Sequence, residues 1–453
     1  MAKKDAVLST SNSQQETVKS WDREKLMNTS IPELHDSHRH DMPRSNPIDT
    51  LCRTIVHRKL KHLNGALRIT DGWGDEIVGD GKGLAAEMRV IDPTIYRRLM
   101  TSGSLGAAEG WMDQQWTTDN LTDLVRLFVR NIALSDTLDR GLSGIAALIA
   151  SLVHRNKANS RVGSRKNIRA HYDLGNDLFS LFLDSTMTYS AAIFDTNHKT
   201  LESASINKLN RICQKLNLEK DDHLLEIGCG WGSLAIHAAK YYGARVTAVT
   251  ISQSQLDFAK SRAEFEGIGN RIDFQLRDYR DIKGRFKKIA SIEMVEAVGH
   301  QYLPEFFKCC GKLLDHDGCL VIQAITMPDQ RYKKYRKSCD FIQKYIFPGS
   351  CVPSLEAMLA QVKLRSNMKL IHLDDIGTQY AETLNHWHDR FSNSENEART
   401  LGYSDRFIRL WHYYLSYCEA GFQERYLSNL QMVFAKPGWR DFIVESASVS
   451  RDR

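Results

Sequence analysis

The sequence predicts an α/β protein, a doubly wound and mostly parallel sheet preceded by a smaller N-terminal mixed α/β domain. Three observations carry this. From His223 onward, short apolar strands alternate with helical stretches at βαβ spacing. The first of those strands runs into a glycine-rich turn, Gly228-Cys229-Gly230-Trp231-Gly232, that opens a helix. Upstream, between about Ile48 and Asn131, a separate stretch of regular apolar spacing mixes strand and helix signals.

The chain has 453 residues, 42% of them hydrophobic, enough for one large core and by expectation two unequal ones. Residues 1–47 are polar and rich in Ser, Asn, Asp and His. They read as a disordered or loosely attached tail, without the apolar run of a secretory signal. Residues 48–150 form the small domain. Within it Leu67–Thr70 and Ala86–Ile91 read as strands, and Pro93–Met100 and Leu121–Val129 as helices, the second capped by Thr118, Asp119 or Asn120. Gly141–Val153 is apolar but too short to cross a bilayer. His154–Ala170 then carries Arg155, Lys157, Arg161, Arg165, Lys166 and Arg169 with no acidic residue. Together these segments read either as a core helix with a solvated linker or as an element resting on a lipid interface.

Residues 151–453 make up the larger domain, with strands at Leu224–Ile227, Arg245–Ile251, Ile272–Leu276, Lys287–Ile292 and Cys319–Ile325. Helices follow from Ser233 and Gln253. The nine cysteines lack metal-ligand spacing, which predicts reduced thiols in a cytoplasmic protein and no metal site. A net charge of +6 suits an anionic surface, and with no nucleic-acid motif beside it nucleic acid is not an expected partner.

A glycine loop after a strand serves either a dinucleotide or S-adenosylmethionine. Here the spacing is G-x-G-x-G rather than G-x-G-x-x-G, and the next strand ends in Thr250-Ile251-Ser252 with no acidic residue to grip a ribose. Both details disfavour a dinucleotide, which stays as the alternative, and the E-x-G-x-G-x-G form that starts at Glu226 resembles the class I methyltransferases, which implies S-adenosylmethionine.

Longer motifs extend this. His171-Tyr172-Asp173-Leu174-Gly175-Asn176-Asp177, Met187-Thr188-Tyr189-Ser190, Thr250-Ile251-Ser252 with Gln255, and Arg277-Asp278-Tyr279-Arg280 occur in order. Glu296 in Glu-Ala-Val-Gly-His, Tyr345-Ile346-Phe347-Pro348-Gly349 and Pro353-Ser354 follow. This set resembles the cyclopropane-fatty-acyl-phospholipid synthases of the class I S-adenosylmethionine-dependent methyltransferase superfamily. The resemblance runs almost continuously from about Arg169 to Pro437 and more faintly through the small domain. It implies a Rossmann-like class I methyltransferase domain whose S-adenosylmethionine pocket is lined by Tyr189, Ser190, Glu226, Gly228, Gly230, Gly232, Thr250, Ser252, Gln255, Asp278 and Tyr279. It also implies transfer of a one-carbon unit to the cis double bond of an unsaturated phospholipid acyl chain, with closure to a cyclopropane.

Methylating an isolated alkene produces a carbocation, so the site needs an apolar tunnel, surroundings that tolerate a cation, and a base. Aromatic faces tolerate cations; Phe179, Phe182, Tyr345 and Phe347 are candidates, each also readable as ordinary core. The resemblance implies that the base is an enzyme-bound bicarbonate ion, caged by Glu296, Tyr380, Gln323, Ala191 and Ile325. The chain departs from the bacterial pattern of that family in three places. Ala191 stands where the family has Cys, Gln323 where it has His, and Ala297 where a His follows the catalytic Glu. His300 is either a substitute for the last or a helix cap.

These departures leave a methyl- or methylene-branching reaction on the same lipid as the nearest alternative to ring closure. More distant readings are a catalytically inactive lipid-binding homologue and a small-molecule N-methyltransferase. The implied setting is a homodimer, cytoplasmic and peripheral to the inner face of the membrane. His154–Ala170 and Arg331–Lys337 are the candidate contacts to anionic headgroups.

Overall fold

The structure, a computed structural model, describes residues 46–138 and 175–441. Most of the expected tail, the apolar Gly141–Val153, the basic run His154–Ala170 and the opening of the His171–Asp177 motif lie outside these residues.

The small unit begins with a helix, α1 (Pro47–Leu60), that the sequence reading did not single out. Asn46 accepts a hydrogen bond from the Ile48 N–H and Pro47 occupies the first turn, both favourable at a helix start. Strands β1 (Ala66–Asp71) and β2 (Gly74–Val78) form an antiparallel hairpin, and β3 (Ala85–Val90) lies parallel to β1. A short β4 (Trp116–Thr117) completes the order β2-β1-β3-β4. Between β3 and β4 runs α2 (Ile95–Met112), far longer than the expected Pro93–Met100 and kinked at Gly103. Helix α3 (Leu121–Arg130) starts at Asn120, which alone of the three candidate caps accepts the Asp123 N–H.

The larger unit opens with α4 (Asn176–Phe182) and α5 (Leu201–Lys215). The doubly wound part then follows as β5 (His223–Ile227), α6 (Ser233–Tyr242), β6 (Arg245–Thr250), α7 (Gln253–Phe265), β7 (Ile272–Leu276), β8 (Phe286–Ile292) and β9 (Leu314–Thr326). Strand β10 (Lys369–Asp375), helices α8 (Gly377–Asn393) and α9 (Asp405–Gln423), and strand β11 (Ser428–Ala435) end the fold. The seven-stranded order is β10-β11-β9-β8-β5-β6-β7. Strands β5 to β9 pair in parallel, and β11 runs antiparallel to both β9 and β10. This is the predicted mostly parallel, doubly wound sheet with a smaller mixed α/β unit.

The core is arranged differently from the expected pair. Separate apolar clusters cover the two faces of the large sheet, but a third runs unbroken from Val56 and Leu67 in the small unit to Trp387, Trp411 and Phe422 in α8 and α9. Helix α9 explains this, since it packs against α8 on one side and against α2 and α3 of the small unit on another. Polar pins flank the contact. Trp111 Nε1 donates to the Arg409 carbonyl at 2.9 Å, the Thr122 hydroxyl donates to Glu419 at 3.0 Å, and Arg126 pairs with Glu424 at 2.7 Å. Among the described residues no helix is long and apolar enough to cross a membrane.

Candidate active site

The carboxyl ends of β5 and β6 and the segment after β7 form the crevice in which an open α/β sheet holds its ligand. The turn after β5 needs its glycines. Gly228, Gly230 and Gly232 have φ of +84°, +52° and +85°, a region where other residues are strained. A side chain at Gly228 would press on Met294, whereas one at Gly230 would meet no protein atom within 4 Å and would project into open space. Gly232 is the N-cap of α6, and the Ala235 N–H in the first turn of that helix bonds the Glu226 carboxyl. After β6, the Thr250 hydroxyl donates to Gln255 at 3.0 Å, and Ser252 caps α7 by accepting the Gln255 N–H. Asp278 is held by Arg280 through two hydrogen bonds of 2.6 and 2.9 Å, and the Tyr279 ring packs edge-on against Phe306.

The Tyr189–Phe194 segment is pinned across the mouth of the crevice by α8. The Ala192 N–H donates to Thr383 at 3.0 Å and the Phe194 N–H to Gln379 at 2.8 Å. Tyr189 shares a 2.8 Å hydroxyl contact with Tyr414, and Ser190 accepts from Lys208 at 2.8 Å. Lys208 is fully buried on α5 and sequence reasoning missed it. Burial pulls its ammonium down to about 8, opposed by the charges of Glu293, Asp184 and Glu226. Burial likewise pushes Glu226 up to about 8, with Lys208 opposing.

Beside this crevice lie two carboxyls, not the lone Glu296 of the sequence reading. Glu293 and Glu296 follow β8 directly. Glu293 adopts φ +47°, a left-handed conformation that costs a non-glycine residue about 1–3 kcal/mol and is held only by its surroundings. Those surroundings are hydrogen-bond donors. Glu293 Oε1 accepts from the Ala191 N–H at 2.9 Å, Gln323 Nε2 at 2.7 Å and Asn429 Nδ2 at 2.6 Å. Burial, with the charge of the neighbouring Glu293 next, pushes the Tyr380 hydroxyl well up. Glu296 Oε1 accepts from the Ile325 N–H at 2.5 Å, while its Oε2 is buried without a partner. Burial, with the Glu293 charge adding to it, pushes Glu296 up to about 8.

The orientation of Gln323 is fixed from behind. Lys215 donates to Gln431 Oε1 at 2.7 Å, so Gln431 Nε2 donates to Gln323 Oε1 at 2.9 Å, and Gln323 Nε2 is left to face Glu293. An ammonium has only donors, so each amide in the chain has one consistent orientation.

The five residues assigned to the bicarbonate cage therefore do come together, but Ala191, Gln323 and Tyr380 face Glu293, and the Ile325 N–H is taken by the fifth member, Glu296. A bicarbonate ion does not fit this arrangement, because the donors that would hold it are engaged by protein carboxylates. Asn429, fully buried on β11, completes the set and had no signal in the sequence. Glu293 did have one, a second acidic side chain at the end of a central strand.

All the candidate site residues except Ala191, Gly232, Ser252 and Gln323 line one cavity of about 720 Å³, which also takes in Glu293, Lys208 and Trp231. Gln323 and Ala191 stand just behind its wall through their bonds to Glu293. The cavity continues into the small unit, where Leu67, Met88, Leu99, Leu124, Val125 and Phe128 line it. Of the four aromatic candidates Phe347 alone lines the cavity. Phe179 and Phe182 are fully buried against each other, and Tyr345 donates its hydroxyl to Glu109 at 2.7 Å. Tyr380, Tyr413, Tyr414 and Phe422 are among the other aromatic residues that line the cavity. His300 bonds Tyr332 and Arg336, which makes it a brace outside the cavity rather than a stand-in for the missing histidine. In the Arg331–Lys337 run, Arg331 and Lys334 share the Asp136 carboxylate, at 2.9 and 2.6 Å, so one of its five positive charges is already neutralised.

The fold and the glycine crevice define a class I S-adenosylmethionine-dependent methyltransferase. The family model of mycolic acid cyclopropane synthetase matches residues 159–432, and the chain belongs to this cyclopropane synthase family. The chain is 33% identical over 396 residues to the tuberculostearic acid methyltransferase UfaA1 of Mycobacterium tuberculosis, covering 86% of this chain and 91% of that one. It is 34% identical over 355 residues to the cyclopropane-fatty-acyl-phospholipid synthase of Escherichia coli K12, covering 78% and 88%. The structure of mycolic acid cyclopropane synthase CmaA1 complexed with SAH and CTAB superposes with a TM-score of 0.56 at 28% identity, over 60% of this chain and 98% of that one.

Proposed function

We propose that the protein transfers a one-carbon unit from S-adenosylmethionine to the cis double bond of an unsaturated phospholipid acyl chain and closes it to a cyclopropane. The observation that carries this is the single cavity, which joins the glycine crevice, a pair of buried carboxyls and an apolar arm long enough to shelter part of an acyl chain. A small polar substrate would have no use for that arm.

The residues would divide the work as follows. The glycine turn, Thr250 with Gln255, and Asp278 bind the methyl donor. The Tyr189–Ala191 segment closes the crevice and excludes water. Attack of the alkene π pair on the sulfonium methyl breaks the C–S bond and leaves a cation on the neighbouring acyl carbon. The faces of Tyr189, Trp231, Tyr380 and Phe347 surround it with π density. Loss of a proton from the transferred methyl supplies the electron pair of the third ring bond.

A methyl- or methylene-branched product is the second reading. Ala191 and Gln323 stand where the ring-forming pattern has Cys and His, and a relative at 33% identity is called a tuberculostearic acid methyltransferase. Docking to an anionic membrane surface and a homodimeric assembly belong to the same proposal. The test is proton NMR of fatty acids recovered from unsaturated phospholipid vesicles after incubation with enzyme and S-adenosylmethionine. Upfield ring-methylene signals support the cyclopropane, vinylidene signals or a methyl branch without them replace it with the branched product, and unmodified lipid overturns both in favour of an inactive homologue.

A further inference from the structure

The donors assembled around Glu293 are those that an exogenous anion would require. Ala191 offers a backbone N–H, Gln323 and Asn429 offer side-chain amides, Tyr380 offers a hydroxyl, and the first three share Oε1 at 2.6–2.9 Å. Among the described residues no N–H donor bonds the other oxygen, Oε2. Glu293 itself lines the cavity next to Met294 and Tyr380. Its left-handed backbone is a second and independent sign that the carboxylate is held on purpose, since relaxing φ would swing the side chain off the cage.

We propose that the Glu293 carboxylate is the catalytic base of this enzyme, a built-in replacement for a bound bicarbonate ion. The proposal rests on the alkene-methylating function above. In the step, a C–H bond of the transferred methyl breaks, its electron pair closes onto the cationic carbon, and the proton passes to Glu293. The charge balances, because the sulfonium contributes one positive charge and the carboxylate one negative. S-adenosylhomocysteine, the modified acyl chain and a protonated Glu293 result. Glu296 is the companion acid, tied through Oε1 to the Ile325 N–H and placed where a neutral carboxyl avoids a second negative charge against the first. Tyr380 and the Gln323–Gln431–Lys215 chain are positioning residues.

The experiment uses the full chain, S-adenosylmethionine, and vesicles of dioleoyl phospholipid in buffer purged of carbon dioxide. Wild-type product formation is expected to be unchanged, within about twofold, by stripping or adding bicarbonate. Glu293→Gln keeps an oxygen for all three N–H donors and removes only the basic group. It is expected to lower product formation roughly 10²- to 10⁴-fold, the usual contribution of a positioned base, with S-adenosylhomocysteine affinity unchanged. Glu293→Gly relieves the positive φ and empties the cage, so added bicarbonate or formate is expected to restore part of its activity. A wild-type enzyme that stops when bicarbonate is removed and recovers when it is returned overturns the assignment. So does a Glu293→Gln enzyme as active as wild type. Wild-type enzyme that modifies no unsaturated lipid overturns the function proposed above and this inference with it.

Discussion

Alanine at Gly228 and at Gly230 separates the two tasks of the glycine turn. Both residues have positive φ, and a non-glycine residue there loses about 1–2 kcal/mol. At Gly228 the added methyl would lie 2.5 Å from Met294 Cγ and 3.0 Å from its Cβ. Met294 joins Glu293 to the rest of the loop, so relief requires that loop to move, an overpacking cost of about 1–3 kcal/mol. Gly228→Ala is therefore expected to lose about 2–5 kcal/mol of stability and several degrees of melting temperature. At Gly230 there is no protein neighbour within 4 Å, so only the backbone cost applies to folding. Its methyl intrudes instead on the space assigned to the methyl donor, and a clash of about 1–3 kcal/mol weakens binding roughly 10- to 100-fold. Calorimetric titration with S-adenosylhomocysteine, beside a thermal melt of each ligand-free variant, reads both effects. If Gly230→Ala binds as tightly as wild type, the turn does not face the cofactor and the crevice has been misplaced.

Three further outcomes follow from the same geometry. Glu226 and Glu296 both sit at about 8 in the folded protein, above the ordinary value of 4.5, so their contribution to stability is complete at acid pH and drains away as pH rises towards 8. Melting temperature of the ligand-free protein should fall between about pH 5 and pH 8, and Glu226→Gln should make that fall shallower; equal slopes would contradict the buried placement of Glu226. Leu99→Trp narrows the arm of the cavity in the small unit, and it is expected to cut turnover on oleoyl lipid about tenfold or more while leaving S-adenosylhomocysteine affinity alone. Unchanged turnover would remove the acyl chain from that arm. Gln431→Leu severs the amide chain behind Gln323, leaving Lys215 and Gln323 each short of a partner. The expected loss is about 1–3 kcal/mol of stability, measured by urea denaturation, with a lower kcat and an unchanged affinity for the methyl donor.

The parallel sheet was legible because its signals are local. The glycine turn and the boundaries of α6 and β7 follow from neighbouring residues alone, and the observed elements match them. Elements shaped by distant contacts were not legible. Helix α2 resumes after the non-helical break at Gly103 and continues through Gly106 and Gly110, which as isolated residues argue against a helix. The structure shows why they are there. A side chain on Gly106 would strike the Arg98 carbonyl at 2.5 Å, and one on Gly110 would strike Ile95 at 2.3 Å, so close packing outweighs propensity. Strand β9 similarly reaches back to Leu314 through the polar Asp315-His316-Asp317-Gly318, which reads as a turn. The shared core of the small unit and α9 depends on a pairing of segments about 300 residues apart, such as Trp111 with Arg409.

The same distinction explains the candidate site. Ala191, Gln323 and the overlooked Glu293 looked like unrelated details while each was set against the family pattern separately. In the structure they are one substitution. A fixed carboxylate in the cage needs room, and Ala191 provides it while keeping the backbone N–H. It also needs a neighbour that donates a hydrogen bond without competing for the proton. A histidine at position 323 would titrate beside the carboxylate and take up that proton itself, whereas the Gln323 amide stays neutral at every accessible pH. Asn429 repeats that solution from β11, again with a neutral amide. Exchanging Gln323 for His should therefore disturb the site more than the family pattern suggests. The Gln323→His variant loses the amide oxygen that Gln431 requires, and its pH–rate profile should acquire a new ionisation near that of histidine. A profile identical to wild type would show that Gln323 does not touch the proton-accepting group.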